Sequence, residues 1–418
     1  MASFVLSSTH SLTTPTAAKV VGTDCGNKDC GSTAVPSEQQ RDRQGAGVVA
    51  VAGAGGDVKA PGFDGAVGAT RTVENGIVGQ PDPHVHPRYC GFSTYARLPS
   101  IHEVSNFDVA VVGIPFDAGC TYRPGARFGP EAIRRASRLI RRYNMGTEVY
   151  PFKDMQVVDY GDISCNPFNI PKAISEISTA LGGVLSRCDG VVIIGGDHTI
   201  SYPCLKAISD KFGPVSLVHF DSHFDTWDEY FGEKCTHGTP FKRAIDDGLI
   251  DTSRSMHVGI RGSVNDHEDI VADAELGMKT VFCSELDDNG FQWVADKIRG
   301  RVGTGPVYLS LDIDVADPAF APGTGTPEAS KQPWIFSLLF LFIIIHSVGG
   351  FSSRELIRLL RSMKGLNIIS GDVVEVAPAY DHADITAQLG ANIVFEMLSL
   401  MAVARQENKT NKTTTADP

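Results

Sequence analysis

The chain has no CxxC pair, and its nine cysteines, an odd number, are scattered at positions 25, 30, 90, 120, 165, 188, 204, 235 and 283. That spacing excludes a CxxC zinc module and a disulfide-framed secreted domain. It reads as reduced thiols in an intracellular compartment. Positive charge is the minority sign: 37 Lys and Arg against 49 Asp and Glu give a formal net charge of −12. Phosphates would be repelled, so nucleic acid is not expected as a partner, whereas a small cationic substrate suits the balance. No secretory signal stands out, and no apolar run reaches the ~20 residues of a membrane span. A membrane is therefore not expected either. Gly195 and Gly196 are not followed by the lysine of a phosphate-binding loop, and their spacing is wrong for one.

At 42% hydrophobic residues, 418 positions can supply one large core or two modest domains. Residues 1–85 differ from the rest: they are rich in Ser, Thr, Ala, Gly and Val, and the first acid is Asp24. They read as a disordered extension or an organellar transit peptide, which leaves the compartment as cytoplasm, mitochondrion or plastid. One domain is expected over 86–406 and a disordered tail over 407–418. Strand-like apolar runs fall at 108–113, 156–160, 190–194, 214–219, 255–259, 280–283, 306–311 and 366–370. Helical patterns fall at 129–143, 171–186, 200–212, 239–247, 293–301, 353–363 and 383–404. This alternation predicts a three-layer α/β/α architecture around a mainly parallel sheet of about eight strands. Ligands of such sheets bind beyond the carboxyl ends of the strands.

The chemically loaded residues lie at those ends. The stretch Val218-His219-Phe220-Asp221-Ser222-His223-Phe224-Asp225 places Asp221, His223 and Asp225 two residues apart, so all three can face one way on a strand. His198 follows the 190–194 run, and Asp312 and Asp314 follow the 306–311 run. Two imidazoles and four carboxylates without a thiolate suit two divalent cations, Mn²⁺ rather than structural zinc. A pair of ions ~3.5–4 Å apart would make water a nucleophile at neutral pH. A solvated turn after a strand is the plain alternative for any one of these residues, but six together at one sheet edge outweigh it. His84, His86 and His102 precede the core and carry no case.

The blocks 195–200, 219–225 and 310–314 resemble the three metal signatures of the ureohydrolase family, which includes arginase and agmatinase. The blocks 116–130, 236–241, 321–328 and 372–378 resemble its agmatinase-like branch, in order. The resemblance implies hydrolysis of a guanidino group to urea and an amine with two Mn²⁺ per subunit. It implies one ion on His198, Asp221, Asp225 and Asp312 and another on Asp221, His223, Asp312 and Asp314. Asp225 or Asp314 would pass a proton to the leaving amine. His237 matches the family's loop histidine, a proton shuttle, and Glu375 its guanidinium-binding glutamate. The family does not use His219 as a ligand, so this residue reads as packed behind the site. A homotrimer or homohexamer is implied as well.

The loop after Asp225 offers Trp227, Asp228, Glu229 and Tyr230, acids and aromatics that attract an ammonium and repel a carboxylate. Agmatine is therefore the expected substrate, with Trp227, Asp228 and Glu328 as substrate contacts. Guanidinobutyrate becomes the alternative if Arg123 or Arg127 faces the site, and free guanidine is a third. One stretch departs from the family: an insert at 329–348, with a run of apolar residues from Trp334 to Ile345, separates Glu328 from Gly349-Gly350. It reads as translated non-coding sequence, with a membrane or partner anchor as the other reading. A non-catalytic family relative inactivated by this insert is the competing class of function.

Overall fold

Eight runs, most of them rich in Val, Ile and Leu, pair into a single parallel sheet whose central strands are buried on both faces. They are β3 (Val109–Gly113), β4 (Val157–Asp162), β5 (Gly190–Ile194), β6 (Ser216–Phe220), β7 (Met256–Ile260), β8 (Lys279–Phe282), β9 (Val307–Asp312) and β10 (Ile368–Val374). Their order across the sheet is β4-β3-β5-β10-β9-β6-β7-β8. Every neighbouring pair is parallel. The computed structural model describes residues 71–328 and 349–414. The insert expected at 329–348 and nearly all of the expected N-terminal extension lie outside the described residues.

Successive strand residues go to opposite faces. Val109, Val111, Val192, Ile194, Leu309 and Leu311 join one buried cluster with α1 (Gly129–Ala136), α7 (Cys283–Val302), α8 (Ser353–Ser362) and α9 (Ile385–Thr414). Ala110, Val112, Val191, Ile193 and Tyr308 join the other with α3 (Ile170–Leu185), α4 (Ser201–Phe212) and α5 (Pro240–Asp246). The three expected layers are present. Among the described residues one helix, over Ile385–Glu407, is long and apolar enough to cross a membrane, but 83% of its apolar window is buried inside the fold. It is a core helix.

Three expectations need correction. The ordered domain begins before residue 86: β1 (Arg71–Glu74) and β2 (Ile77–Pro81) form an antiparallel hairpin. Its turn, Asn75-Gly76, has φ values of 54° and 80°, the positive pair that this dipeptide favours in a two-residue hairpin. The tail is not irregular from 407, since α9 runs to Thr414. The basic helix expected over 129–143 stops at Ala136 and continues as a short 3-10 turn, Ser137–Leu139. Two short helices had no apolar period to announce them, α2 (Pro151–Asp154) and α6 (His267–Glu275).

The chain on either side of 329–348 is tied to one place. Before it, Arg261 Nη2 donates to the Glu328 carbonyl at 3.2 Å and also to the carbonyls of Asp314 and Ala316. After it, Gly350 N donates to Asp317 Oδ2 at 3.1 Å, and Phe351 N donates to the Val315 carbonyl at 3.1 Å. Both flanks therefore close on 314–317.

Candidate metal centre and active site

The four central strands, β5, β10, β9 and β6, stand side by side. Each ends in a functional side chain, so the sheet alone brings together His198, Glu375, Asp312 and Asp221. His198 opens a 3-10 turn after β5, where Asp197 caps the Thr199 amide. Asp314 follows β9 in a second such turn, capped by Asp312.

Three carboxylates converge on one nitrogen. His198 Nδ1 lies 2.9 Å from Asp225 Oδ2, 3.1 Å from Asp221 Oδ2 and 3.3 Å from Asp312 Oδ2. His223 Nδ1 lies 3.1 Å from Asp314 Oδ2 and 3.3 Å from Asp221 Oδ1. Asp221 thus contributes one oxygen to each group. All six residues expected as ligands are brought together, in two groups that share Asp221.

The donors fit cations. His198 Nδ1 and Asp314 Oδ2 are buried and have no hydrogen-bond partner among the described residues, which leaves them available to a cation. The tautomer of His198 is fixed from behind. Its Nε2 is 2.9 Å from Ser310 Oγ, which in turn donates to Asp372 Oδ1 at 2.7 Å. The hydrogen therefore sits on Nε2, and Nδ1 presents a lone pair to the carboxylates, the usual support of a metal-binding histidine. Burial, then the Asp314 and Asp221 carboxylates, push the Asp312 carboxyl well above its ordinary value. Crowded buried carboxylates of this kind are relieved by bound positive charge.

His219 is close enough to count as a ligand of the His198 group. Its Nε2, however, is 2.8 Å from Asp221 Oδ2, and its Nδ1 faces His257. It stands behind Asp221, as expected.

Glu375 follows β10 with φ of 62°, and Asp225 has φ of 55°. Left-handed backbone at two non-glycine carboxylates of one site is local strain of the kind found at functional centres. Glu375 Oε1 accepts from the His198 amide at 3.0 Å and pairs with His237 Nδ1 at 2.9 Å. Its Oε2 is buried and has no hydrogen-bond partner. A Cβ on Gly325 would lie 3.4 Å from that oxygen.

His237 is held between Glu375 and Thr121, whose amide lies 3.2 Å from Nε2 and whose Oγ1 lies 2.7 Å away. Burial pulls this imidazole down, but the Glu375 carboxylate outweighs it and holds the ring at about 9. The Thr121 amide needs a lone pair on Nε2 and favours the neutral ring. The loop over 117–125 is pinned in turn by Asp197, which accepts from the Gly119 amide at 2.8 Å. A side chain at Gly119 would run into Thr199 Oγ1.

The remaining expected contacts divide. Glu328 stands at the outer side of the centre, its Oε1 3.6 Å from His223 Nε2. Trp227 is 37% exposed and stacks on Tyr230. Asp228 does not face the site as a free acid, because Arg243 pairs with it and Lys242 lies 3.9 Å away. Arg127 is likewise paired, with Asp117. Arg123 is not: its guanidinium is held between the rings of Tyr122 and Tyr380, 5.3 Å from each centroid.

Sequence reading missed Ser310, Asp372, Thr121 and Arg261. Ser310 could have been found, since it lies two residues before Asp312 on β9 and shares its face. Asp372 is its register partner on β10. Thr121 and Arg261 act across loops and left no periodic signal.

The model of the arginase family matches residues 107–330 and 345–399, breaking across most of the insert. A mitochondrial agmatinase of Gallus gallus is 41% identical over 314 residues, 75% of this chain and 87% of the relative. A guanidinobutyrase of Pseudomonas aeruginosa is 40% identical, covering 75% and 94%. The proclavaminate amidino hydrolase structure from Streptomyces clavuligerus superposes with a TM-score of 0.69 at 40% identity. It covers 76% of this chain and all of that one.

Proposed function

We propose that this chain, which belongs to the arginase family, hydrolyses agmatine to putrescine and urea with two Mn²⁺ ions. The coarser statement needs no proposal: it is a metal-dependent family hydrolase of the ureohydrolase kind, acting on guanidino compounds. The observation that carries the guanidinium part of this reading is Glu375 Oε2, a buried carboxylate oxygen beside the metal ligands without a hydrogen-bond partner among the described residues. A guanidinium fork supplies the charge-assisted hydrogen bonds that this oxygen lacks. The ions would supply Lewis acidity that activates water at neutral pH.

The chain's own residues do the rest. His198, Asp221, Asp225 and Asp312 would hold one ion, and Asp221, His223, Asp312 and Asp314 would hold the other. Glu375 orients the guanidinium. Asp225 or Asp314 delivers a proton to the leaving amine, so that urea and an ammonium result. His237, drawn to the charged form by Glu375 and to the neutral form by Thr121, exchanges protons near the site. Glu328 and the Trp227–Tyr230 pair favour an ammonium tail.

A second reading has its own observation. Arg123, on the loop that also bears Thr121, has no carboxylate partner among the described residues, and a carboxylate-tailed guanidino acid such as guanidinobutyrate would answer it. The test is urea release from agmatine, guanidinobutyrate, guanidine and arginine by the Mn²⁺-loaded protein. Agmatine is expected to show the highest kcat/KM. A preference for guanidinobutyrate that Arg123→Ala abolishes replaces agmatine with the acid. Bound metal with no urea from any substrate makes the chain a non-catalytic relative. The resemblance further implies a homotrimer or homohexamer, which sedimentation would measure. We place the protein inside the cell, in cytoplasm, mitochondrion or plastid, to be resolved with a fluorescent fusion.

A further inference from the structure

α6 is an unusual helix, because among its nine residues the buried one is an aspartate, Asp273, 2% exposed. An apolar residue would dock a helix at less cost, since a buried carboxylate must be fully supplied with donors. Asp273 has two. Its Oδ1 accepts from Thr226 Oγ1 at 2.8 Å and lies 3.1 Å from His257 Nε2. Thr226 is the residue directly after Asp225. His257 lies on β7, in register with His219 on β6, and the two Nδ1 atoms are 2.7 Å apart. His219 Nε2 completes the path, 2.8 Å from Asp221 Oδ2. His219, His257 and Asp221 are all fully buried.

The chemistry of the ends orients the chain. A carboxylate only accepts, so the ring nitrogen facing each carboxylate must carry a hydrogen. His257 Nε2 therefore donates to Asp273, and His219 Nε2 donates to Asp221, while the two Nδ1 atoms face each other at 2.7 Å. Rotating either ring breaks two contacts at once. Asp273 is thus linked to the oxygen-rich pocket by two arms: one through His257 and His219 to the carboxylate shared by both metal groups, the other through Thr226 to the backbone that bears Asp225.

We propose that Asp273 is a positioning residue for the metal centre, acting through His257 and His219 to hold Asp221 in its bridging orientation. The inference rests on the assignment of Asp221 as a shared metal ligand. Supports at one remove from a ligand commonly alter metal affinity or activity by about 10–100-fold when removed.

The test measures Mn²⁺ affinity and stoichiometry directly, by titration and by electron paramagnetic resonance of the bound ions, in the full chain. Wild type, Asp273→Asn, His257→Gln and the double variant are compared, together with the thermal midpoint of each metal-free protein. Wild type should bind two ions. Each single variant should lose about tenfold or more in affinity for at least one ion and show an altered exchange-coupled spectrum, at a metal-free midpoint close to wild type. The double variant should be no worse than the poorer single, because both interrupt one path. Affinity within twofold of wild type in either single variant overturns the proposal, as do strictly additive losses. If Asp273→Asn does not fold, His257→Gln alone carries the same expectation and the same refutation. A wild type that binds no metal overturns the metal-centre assignment itself, and this inference with it.

Discussion

The two halves of the metal centre share Asp221 but differ in the exposure and the surroundings of their histidines. His198 is sealed, with no exposed surface, three carboxylate oxygens at its Nδ1, and Ser310 and Asp372 fixing its ring. His223 keeps 32% of its side chain exposed, has two carboxylates at its Nδ1, and faces Glu328 across a wider gap. The inner half is closed off from solvent. The outer half is partly open to solvent. An ion in the inner half should therefore exchange slowly, and one in the outer half quickly.

The change that breaks both halves together should cost most. Asp221→Asn is expected to abolish binding of both ions and lower kcat by about 10⁴-fold or more, roughly 5 kcal/mol of barrier, read by metal analysis and urea release. The halves separate next. His223→Asn should retain one ion and recover much of its activity at high Mn²⁺, whereas His198→Asn should not recover. Equal recovery in the two variants would erase the distinction. Glu375→Gln tests the substrate side: it should lower kcat/KM by about 100-fold, near 3 kcal/mol, the size expected for a buried charge-assisted contact, with metal stoichiometry unchanged.

A smaller effect concerns pH. The folded-state value of His237, about 9, lies above the ordinary imidazole value near 6.5. Its pairing with Glu375 therefore stabilises the metal-free protein fully below about pH 6.5, and that contribution fades as pH rises to about 9. The stability gap between wild type and His237→Asn should close across that window in chemical denaturation. A gap that widens with pH reverses the sign and removes the pair as its cause. The smallest effect is expected from deleting residues 329–348. Both flanks are already tied to 314–317, so metal stoichiometry and thermal midpoint should stay near the parent values.

Legibility followed spacing. The ligands of both halves could be read from their spacing just after strands, although β6 ends at Phe220, Asp225 takes a φ of 55° and Asp314 sits in a 3-10 turn, so loop geometry rather than strand alternation brings them together. The eight strands were visible as apolar runs. What stayed hidden has no period. Helix α6 lacked an apolar stripe because Asp273, not a hydrophobe, docks it. Asp228 looked like a free acid until Arg243, fifteen residues on, came alongside. The β1–β2 hairpin carried an Asn75-Gly76 signal, but it lay in a stretch whose composition resembled a linker.

The joining of both flanks at 314–317 also bears on chain continuity. Residues before the insert supply β3 to β9, and residues after it supply β10, α8 and α9, with β10 lying between β5 and β9. A single nick anywhere in 329–348 would therefore leave two fragments interlocked through the middle of one sheet. Neither fragment alone contains both Asp221 and Glu375. A protein cut in that interval is expected to stay assembled, which gel filtration would show as a single peak holding both pieces.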